Sequence, residues 1–250
     1  QSVVDEVRDL AERGCKEVTL LGQNVNSYSD DGHDFADLMR RVAEVDRTMR
    51  VCFMTPHPQD MSDKLIETIA TNENICKHVH LPVQSGSNRI LEAMNRTYTI
   101  EHYLGLVEKI RTAMPAASLT TDIISGFPTE TEEEHRMTIE LMREVRYDGA
   151  YTFKYSPREG TPAFEAEDSV PEPVKEERLA RLLDKVATLT QSALRSWQGR
   201  TVSVLLESAD TGRTAHLFNA RLDEPGEPGS VVEAVVTGST DTALKCARAR

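Results

Sequence analysis

A chain of 250 residues has room for one large α/β domain, or for a medium domain with a small appendage, because single cores stop growing near ~250–300 residues. Its composition, 39% apolar and 28% charged with no apolar run near the ~20 residues of a membrane span, points away from a membrane role. A formal net charge of −12 excludes a continuous basic coat for nucleic acid, although residues 197–250 nearly balance their charges, so the acidity belongs to the first part.

Val3, Val4, Val7, Leu10 and Ala11 stand at helical spacing ahead of Gly14, which predicts an opening helix over 2–13. This segment is charged and has no basic-then-apolar signal pattern, so the expected compartment is the cytoplasm. KEVTLLG then reads as a buried strand, followed by the polar loop QNVNSYSDDGHD and a helix over about 35–45. The unit recurs as strand MRVCFM, loop TPHPQD and helix 62–70, and again as strand HVHLPV, loop QSGS, helix RILEAMN and a second helix to 113. Strand SLTTDIIS, loop GFPTET and helix 132–145 follow, then strand AYTFKYS and loop PREGTPA. Strands alternating with helices imply a parallel sheet with right-handed crossovers, either doubly wound or an open or closed β/α barrel. In each of these architectures the loops at the carboxyl ends of the strands converge on one site.

After 1–170 the pattern changes to a long charged helix, 171–196, with Leu179, Leu182, Leu183, Val186 and Leu189 on one face, which reads as a connector. From 197 to 250 the strand-like runs TVSVLLES, HLFNARL, SVVEAVVTG and ALKCARA, separated by TG and PGEPG turns, predict a small all-β barrel.

Several strand-end residues are candidates for ligand binding. In IISGFPTETEEE, Gly126 either supplies backbone freedom at a strand–turn–helix junction or lets an adenine lie against the strand end, with Ile124 and Phe127 as apolar contacts. In LPVQSGS, Gln84 and Ser85 either point into the site, or Ser85 or Ser87 serves as a helix N-cap. Gln23, Asn24 and Asn26 are more amides than a turn requires and can fix a carboxylate or amine without carrying charge. His57, between two prolines, is a structural hydrogen-bonding group or, with Asp122, half of an acid–base pair. His78 and His80 alternate on one strand and Asp122 and Ile124 on another, with nothing in the sequence to pair them into a metal site. Cys15, Cys52, Cys76 and Cys246 stand far apart, so they read as reduced, buried thiols and no metal site is expected. There is no phosphate loop, no dinucleotide fingerprint and no nucleophile triad order.

Across GQNVNSY, TPHP, HLPVQSGSNRILEAMNR, SLTTDIISGFPTETEEE and YTFKYSPREGTPA, in this order, the chain resembles the radical S-adenosylmethionine (SAM) methylthiotransferase family over nearly all of residues 1–196. The wording is nearest the branch acting on isopentenyladenosine beside the tRNA anticodon; sister branches act on threonylcarbamoyladenosine in tRNA or on a ribosomal protein. The resemblance implies a partial radical SAM (β/α) barrel, SAM and [4Fe-4S] clusters as cofactors, and the tRNA anticodon loop as partner of a monomer. It places Gln23 and Asn24 near the methionine end of SAM, Gln84 and Ser85 near its ribose or carboxylate, and Asp122, Ile124, Gly126 and Phe127 around its adenine end. The family's C-x-x-x-C-x-x-C is missing, and the four cysteines match none of its cluster ligands. The expectation is therefore a chain incomplete for catalysis, or a non-catalytic RNA-binding remnant. WQGRTVSVLLES and GRTAHLFNA resemble the TRAM domain, a small RNA-binding barrel, which makes Arg200, Arg213 and Arg221, with Lys245, Arg248 and Arg250, candidate RNA contacts.

Overall fold

The structure is a computed structural model that describes residues 2–54, 56–157, 159–160, 162–165 and 169–249. Helix α1 (Ser2–Glu12) buries Val4 and Val7, and strand β1 (Glu17–Leu20) follows. The loop read as merely polar contains a 3-10 turn (Val25–Ser27) and a tiny hairpin, β2 (Ser29–Asp30) and β3 (His33–Asp34). Helix α2 (Phe35–Ala43) opens on a capping box in which Asp34 accepts from the Asp37 amide and Asp37 accepts from the Asp34 amide. Then come β4 (Arg50–Phe53), a 3-10 turn (Pro58–Asp60), α3 (Asp63–Thr71) capped by Ser62, β5 (His78–His80), α4 (Asn88–Ala93), α5 (Ile100–Ala113), β6 (Ser118–Ser125), α6 (Glu132–Val145), β7 (Gly149–Lys154), α7 (Pro162–Glu165) and α8 (Glu172–Ser196).

Strands β1 and β4 pair in parallel, as do β5, β6 and β7, and a parallel bridge between Val51 and Ile75 joins the two groups. Five parallel strands therefore run in chain order as an open half-barrel, the partial barrel that the family resemblance implied and one of the architectures that the alternation of elements allowed. Strand β6 shows how its two faces differ. Leu119, Thr121, Ile123 and Ser125 point out and are buried under the helices, whereas Thr120, Asp122 and Ile124 point into the concave side and are half-exposed. The main core lies between sheet and helices, where Met39, Val51, Ile69, Val79, Leu81 and Met142 are fully buried and Phe35 meets Phe53 edge-on at 5.7 Å.

Helix α8 is more than a connector. It packs along β7 and α6, burying Leu182 while leaving Leu183 exposed, and its first turns carry Lys175 and Arg178 into the interior. Beyond it β8 (Thr201–Leu206), β9 (Thr211–Thr214), β10 (Asn219–Leu222), β11 (Val231–Ser239) and β12 (Leu244–Arg248) close into a five-stranded barrel in the order β10-β12-β11-β8-β9. The sequence suggested four strands; β9 was read as a turn because its inward residues, Gly212 and Thr214, carry no large apolar side chain. The barrel has its own core of Val202, Val204, Leu206, Leu222, Val236 and Leu244, sealed by Trp197 and Phe218.

The small barrel seats on the amino-terminal ends of the parallel strands. Arg50, at the start of β4, donates to the carbonyls of Ser203 and Arg213, each at 2.7 Å, and Arg213 pairs with Glu17, at the start of β1, at 3.1 Å. The Lys77 amide, just ahead of β5, donates to the Ala215 carbonyl at 2.9 Å. No described helix is long and apolar enough to cross a membrane.

Candidate functional site

The parallel register brings together side chains that the sequence left unpaired. His80 lies beside Thr120, Asp122 beside Tyr151, and Ile124 beside Phe153, all facing the concave side. The Thr120 hydroxyl sits between His78 Nε2 at 3.0 Å and His80 Nδ1 at 2.9 Å, and His80 Nε2 lies 3.4 Å from Asp122 Oδ1. A hydroxyl has one hydrogen, so Thr120 donates to one of the two imidazoles and accepts from the other, while His80 turns its Nε2 edge to the Asp122 carboxylate. His78 Nδ1 is buried without a hydrogen-bond partner. Burial, with smaller contributions from His80 and His216, pushes the His78 imidazole down to about 4, so this ring is neutral at physiological pH. The register thus sets the two strands' polar groups in one row, and the neighbour of Asp122 is His80 rather than His57.

His57 has a different role. Asn26 donates to the His57 carbonyl at 2.9 Å and accepts from the His57 amide at 2.7 Å, so the buried Asn26 amide clasps the loop after β4 to the loop after β1. The imidazole itself accepts from the Gln59 amide at 3.2 Å and meets Tyr98 edge-on at 5.6 Å; burial, then Arg96, lowers its pKa. Gln23 and Asn24 stand exposed at the mouth of this clasped loop. In TPHP, Thr55 lies outside the described residues, as do Arg158 and Thr161 of PREGTPA.

Gln84 adopts a left-handed backbone (φ 68°) that stitches the end of β5 to β6: its amide donates to the Asp122 carbonyl at 2.8 Å and its carbonyl accepts from the Ile124 amide at 2.9 Å. Ser85 is fully buried, with its hydroxyl accepting from the Ser87 amide at 3.2 Å. The next residue must be glycine, since a Cβ on Gly86 would stand 2.6 Å from the Thr138 backbone of α6. Ser87, Arg89 and Thr131 converge on Glu134. Burial raises this carboxyl, yet the bonds from Arg89, Thr131 and Ser87 outweigh it and hold its pKa near 2.

Gly126 is left-handed as well (φ 74°), and its amide donates to Glu130 Oε2 at 2.9 Å. The space over it is filled: a Cβ there would come within 2.5 Å of the Lys175 side chain, which also reaches over the Tyr155 ring at 5.6 Å. Phe127, nearly buried, meets Tyr155 edge-on at 5.1 Å. A strand-end glycine was legible in the sequence; the lysine that packs on it comes from α8.

The three arginines singled out in the small barrel are engaged within the protein. Arg213 pairs with Glu17 and Glu207, Arg221 with Asp210 at 3.1 Å, and Arg200 lies 5.0 Å over the Trp197 ring. Arg250 lies outside the described residues. The reading of four separate thiols is corrected: Cys52 on β4 and Cys76, just ahead of β5, with Cα atoms 5.3 Å apart, form a disulfide beside Glu17, leaving Cys15 and Cys246 free. An iron–sulfur cluster finds no ligand set among the described residues, since Cys15 donates to the Glu17 carbonyl and Cys246 belongs to the small barrel's core. SAM fits better. Exposed amides at Gln23 and Asn24, the Asp122 carboxylate and the half-exposed Ile124 line one sheet edge, which suits the cofactor's charged end and its hydroxyls.

Comparison with known proteins agrees with this geometry. The family model "Radical SAM superfamily" matches residues 1–142. Among curated relatives, "tRNA-2-methylthio-N(6)-dimethylallyladenosine synthase" of Alkaliphilus oremlandii is 51% identical over 208 residues, 82% of this chain and 44% of that protein. The protein of the same name from Chlorobium limicola is 46% identical over 257 aligned positions, 97% of this chain and 58% of its own length. The chain thus spans about half the length of the curated relatives it matches. Of solved structures, coproporphyrinogen III oxidase (HemN) from Escherichia coli superposes with a TM-score of 0.59 at 13% identity, covering 96% of this chain and 64% of that one. Methylornithine synthase (PylB) gives 0.51 at 15% identity, covering 72% and 52%. At such identities these two likenesses speak to the fold alone.

Proposed function

Because this chain belongs to the radical SAM superfamily, whose model spans residues 1–142, we propose that it is the half-barrel and small-barrel part of a tRNA methylthiotransferase acting on N6-dimethylallyladenosine. The observation that carries the reading is the Chlorobium limicola relative of that name, whose 46% identity extends over 97% of this chain and therefore through the small barrel. In this reading Gln23 and Asn24 bind the methionine end of SAM, Gln84 and Ser85 shape the turn beside its ribose, and Asp122, Ile124, Gly126 and Phe127 border its adenine. Lys175, packed on Gly126, closes the apolar side of that turn. SAM, when bound, supplies the methyl group. No step is assigned to a cluster, for which the described residues offer no ligands.

Arg200 and Arg221 are taken as RNA contacts, while Arg213 holds the two barrels together. With the anticodon loop of tRNA as substrate, the protein works as a monomer in the cytoplasm.

The test is complementation. A bacterium lacking its own methylthiotransferase receives the complete gene from which this chain derives, and its tRNA nucleosides are analysed by mass spectrometry. Conversion of N6-dimethylallyladenosine to its 2-methylthio form supports the assignment. A methylthio group on threonylcarbamoyladenosine, or on no nucleoside at all, overturns it.

A further inference from the structure

Inward positions of a parallel β/α barrel are ordinarily filled by packed side chains. On β7 they are not: Tyr151 is 60% exposed and Phe153 51%, on a concave face that is otherwise polar. Leaving such a side chain in water forgoes roughly 1.5–3 kcal/mol of burial, so two of them side by side on a sheltered face call for an occupant.

The chemistry of the face restricts what that occupant is. The described inward positions of β5, β6 and β7 are His78, His80, Ser118, Thr120, Asp122, Ile124, Gly149, Tyr151 and Phe153, with no lysine or arginine among them and with Asp122 as the carboxylate. A phosphate meets nothing to neutralise it and one negative charge to repel it. A flat, uncharged ring meets two aromatic rings and no charge that it must neutralise. Tyr151 and Phe153 are two residues apart, roughly 6.6 Å along a strand, about twice the ~3.4 Å rise of a base stack, which leaves room for one ring between them. Tyr151 is braced edge-on by His80 at 5.9 Å, and His80 is tied in turn to Asp122 and Thr120.

We propose that Tyr151 and Phe153 form a stacking platform for an unpaired purine base of the RNA substrate, next to the Asp122 and Ile124 edge that borders the adenine of SAM. The proposal rests on the tRNA reading above and adds to it the surface that receives the target base. Stacking on aromatic side chains is the usual way single-stranded bases are held, because every base has a π-face.

The experiment uses the full chain and an anticodon stem–loop RNA carrying 2-aminopurine at the target adenosine and a dye at its 5′ end. Dye anisotropy reports binding, and 2-aminopurine emission, quenched on stacking, reports the platform. The expected result is binding with quenching by the wild type, loss of the quench and roughly tenfold weaker binding for Tyr151→Ala and Phe153→Ala, and retention of both by Tyr151→Phe. Alanine variants that bind and quench as the wild type does would sink the platform while leaving the tRNA reading intact. Relief of the quench by saturating SAM would assign the rings to the cofactor's adenine and also overturn the proposal. No binding of the RNA by the wild type would remove the tRNA reading and the platform with it.

Discussion

Glu130 and Arg178 meet at 2.9 Å with side chains only 1% and 6% exposed, joining the turn after β6 to the first turns of α8. Arg178 also donates to the Glu130 carbonyl at 2.9 Å, and Glu130 accepts from the Gly126 amide, so one buried pair fixes the backbone of the strand-end turn. Burial raises the Glu130 pKa against the opposing pull of Gly126 and Arg178. Breaking such a pair leaves a charge unpaired in the interior. Arg178→Met is therefore expected to cost about 3–5 kcal/mol in urea unfolding, and adding Glu130→Gln should restore much of it. A single variant with near wild-type stability would contradict the coupling.

Acid should act on the neighbouring turn. The Glu134 carboxyl has an ordinary value of 4.5 and is held near 2 in the fold, once burial is outweighed by Arg89, Thr131 and Ser87. A depressed folded pKa contributes stability that is complete above 4.5 and disappears as pH falls from there toward about 2. Glu134→Gln should flatten this part of the stability–pH profile while lowering stability at neutral pH. A profile of unchanged slope between pH 4.5 and 2 would show that Glu134 is not the group responsible.

The seat of the small barrel depends on Arg50. Its guanidinium, buried among the carbonyls of Ser203 and Arg213 and the Ser203 hydroxyl, has its pKa lowered by burial. Arg50→Met leaves those acceptors dry, at about 1–3 kcal/mol for each one left unsatisfied. The expected outcome is early proteolytic cleavage near Gly199 and two thermal transitions in place of one. A single cooperative transition at the wild-type temperature would argue against this role.

The cysteines give a chemical count. Unfolded without reductant, the protein should titrate as the two free thiols, Cys15 and Cys246, and after reduction as four. The link spans 24 residues, and its removal by Cys52→Ala should cost about 3 kcal/mol by loop-closure entropy. Four thiols before reduction would show the pair to be open.

Much of the architecture could be read locally. Helix α6 was expected at 132–145 after the loop GFPTET, and the structure starts it there with Thr131 and Glu134 as a capping box, a signal contained within a few residues. Gly126 could be recognised as a position needing backbone freedom for the same reason. What escaped was set by register or by distant packing. His80 and Asp122 pair because β5 and β6 align His80 with Thr120; Cys52 finds Cys76 because a parallel bridge sets Val51 beside Ile75. Lys175 covers Gly126 because a helix read as a linker folds back over the sheet. The identity of each residue was visible from the start, while its partner depended on a shift of one or two positions between strands.

The placement of the small barrel sets a ruler. It sits at the amino ends of the parallel strands, held by Arg50, Lys77 and Arg213, whereas the strand-end loops with Gln84 and Gly126 open at the opposite edge. Strand β6 alone has eight residues, roughly 26 Å at about 3.3 Å each. A mononucleotide or a short oligomer can enter the loops without reaching the barrel. For the tRNA substrate proposed above, touching both ends means lying along the flank of the half-barrel, a demand of length that a mononucleotide does not meet.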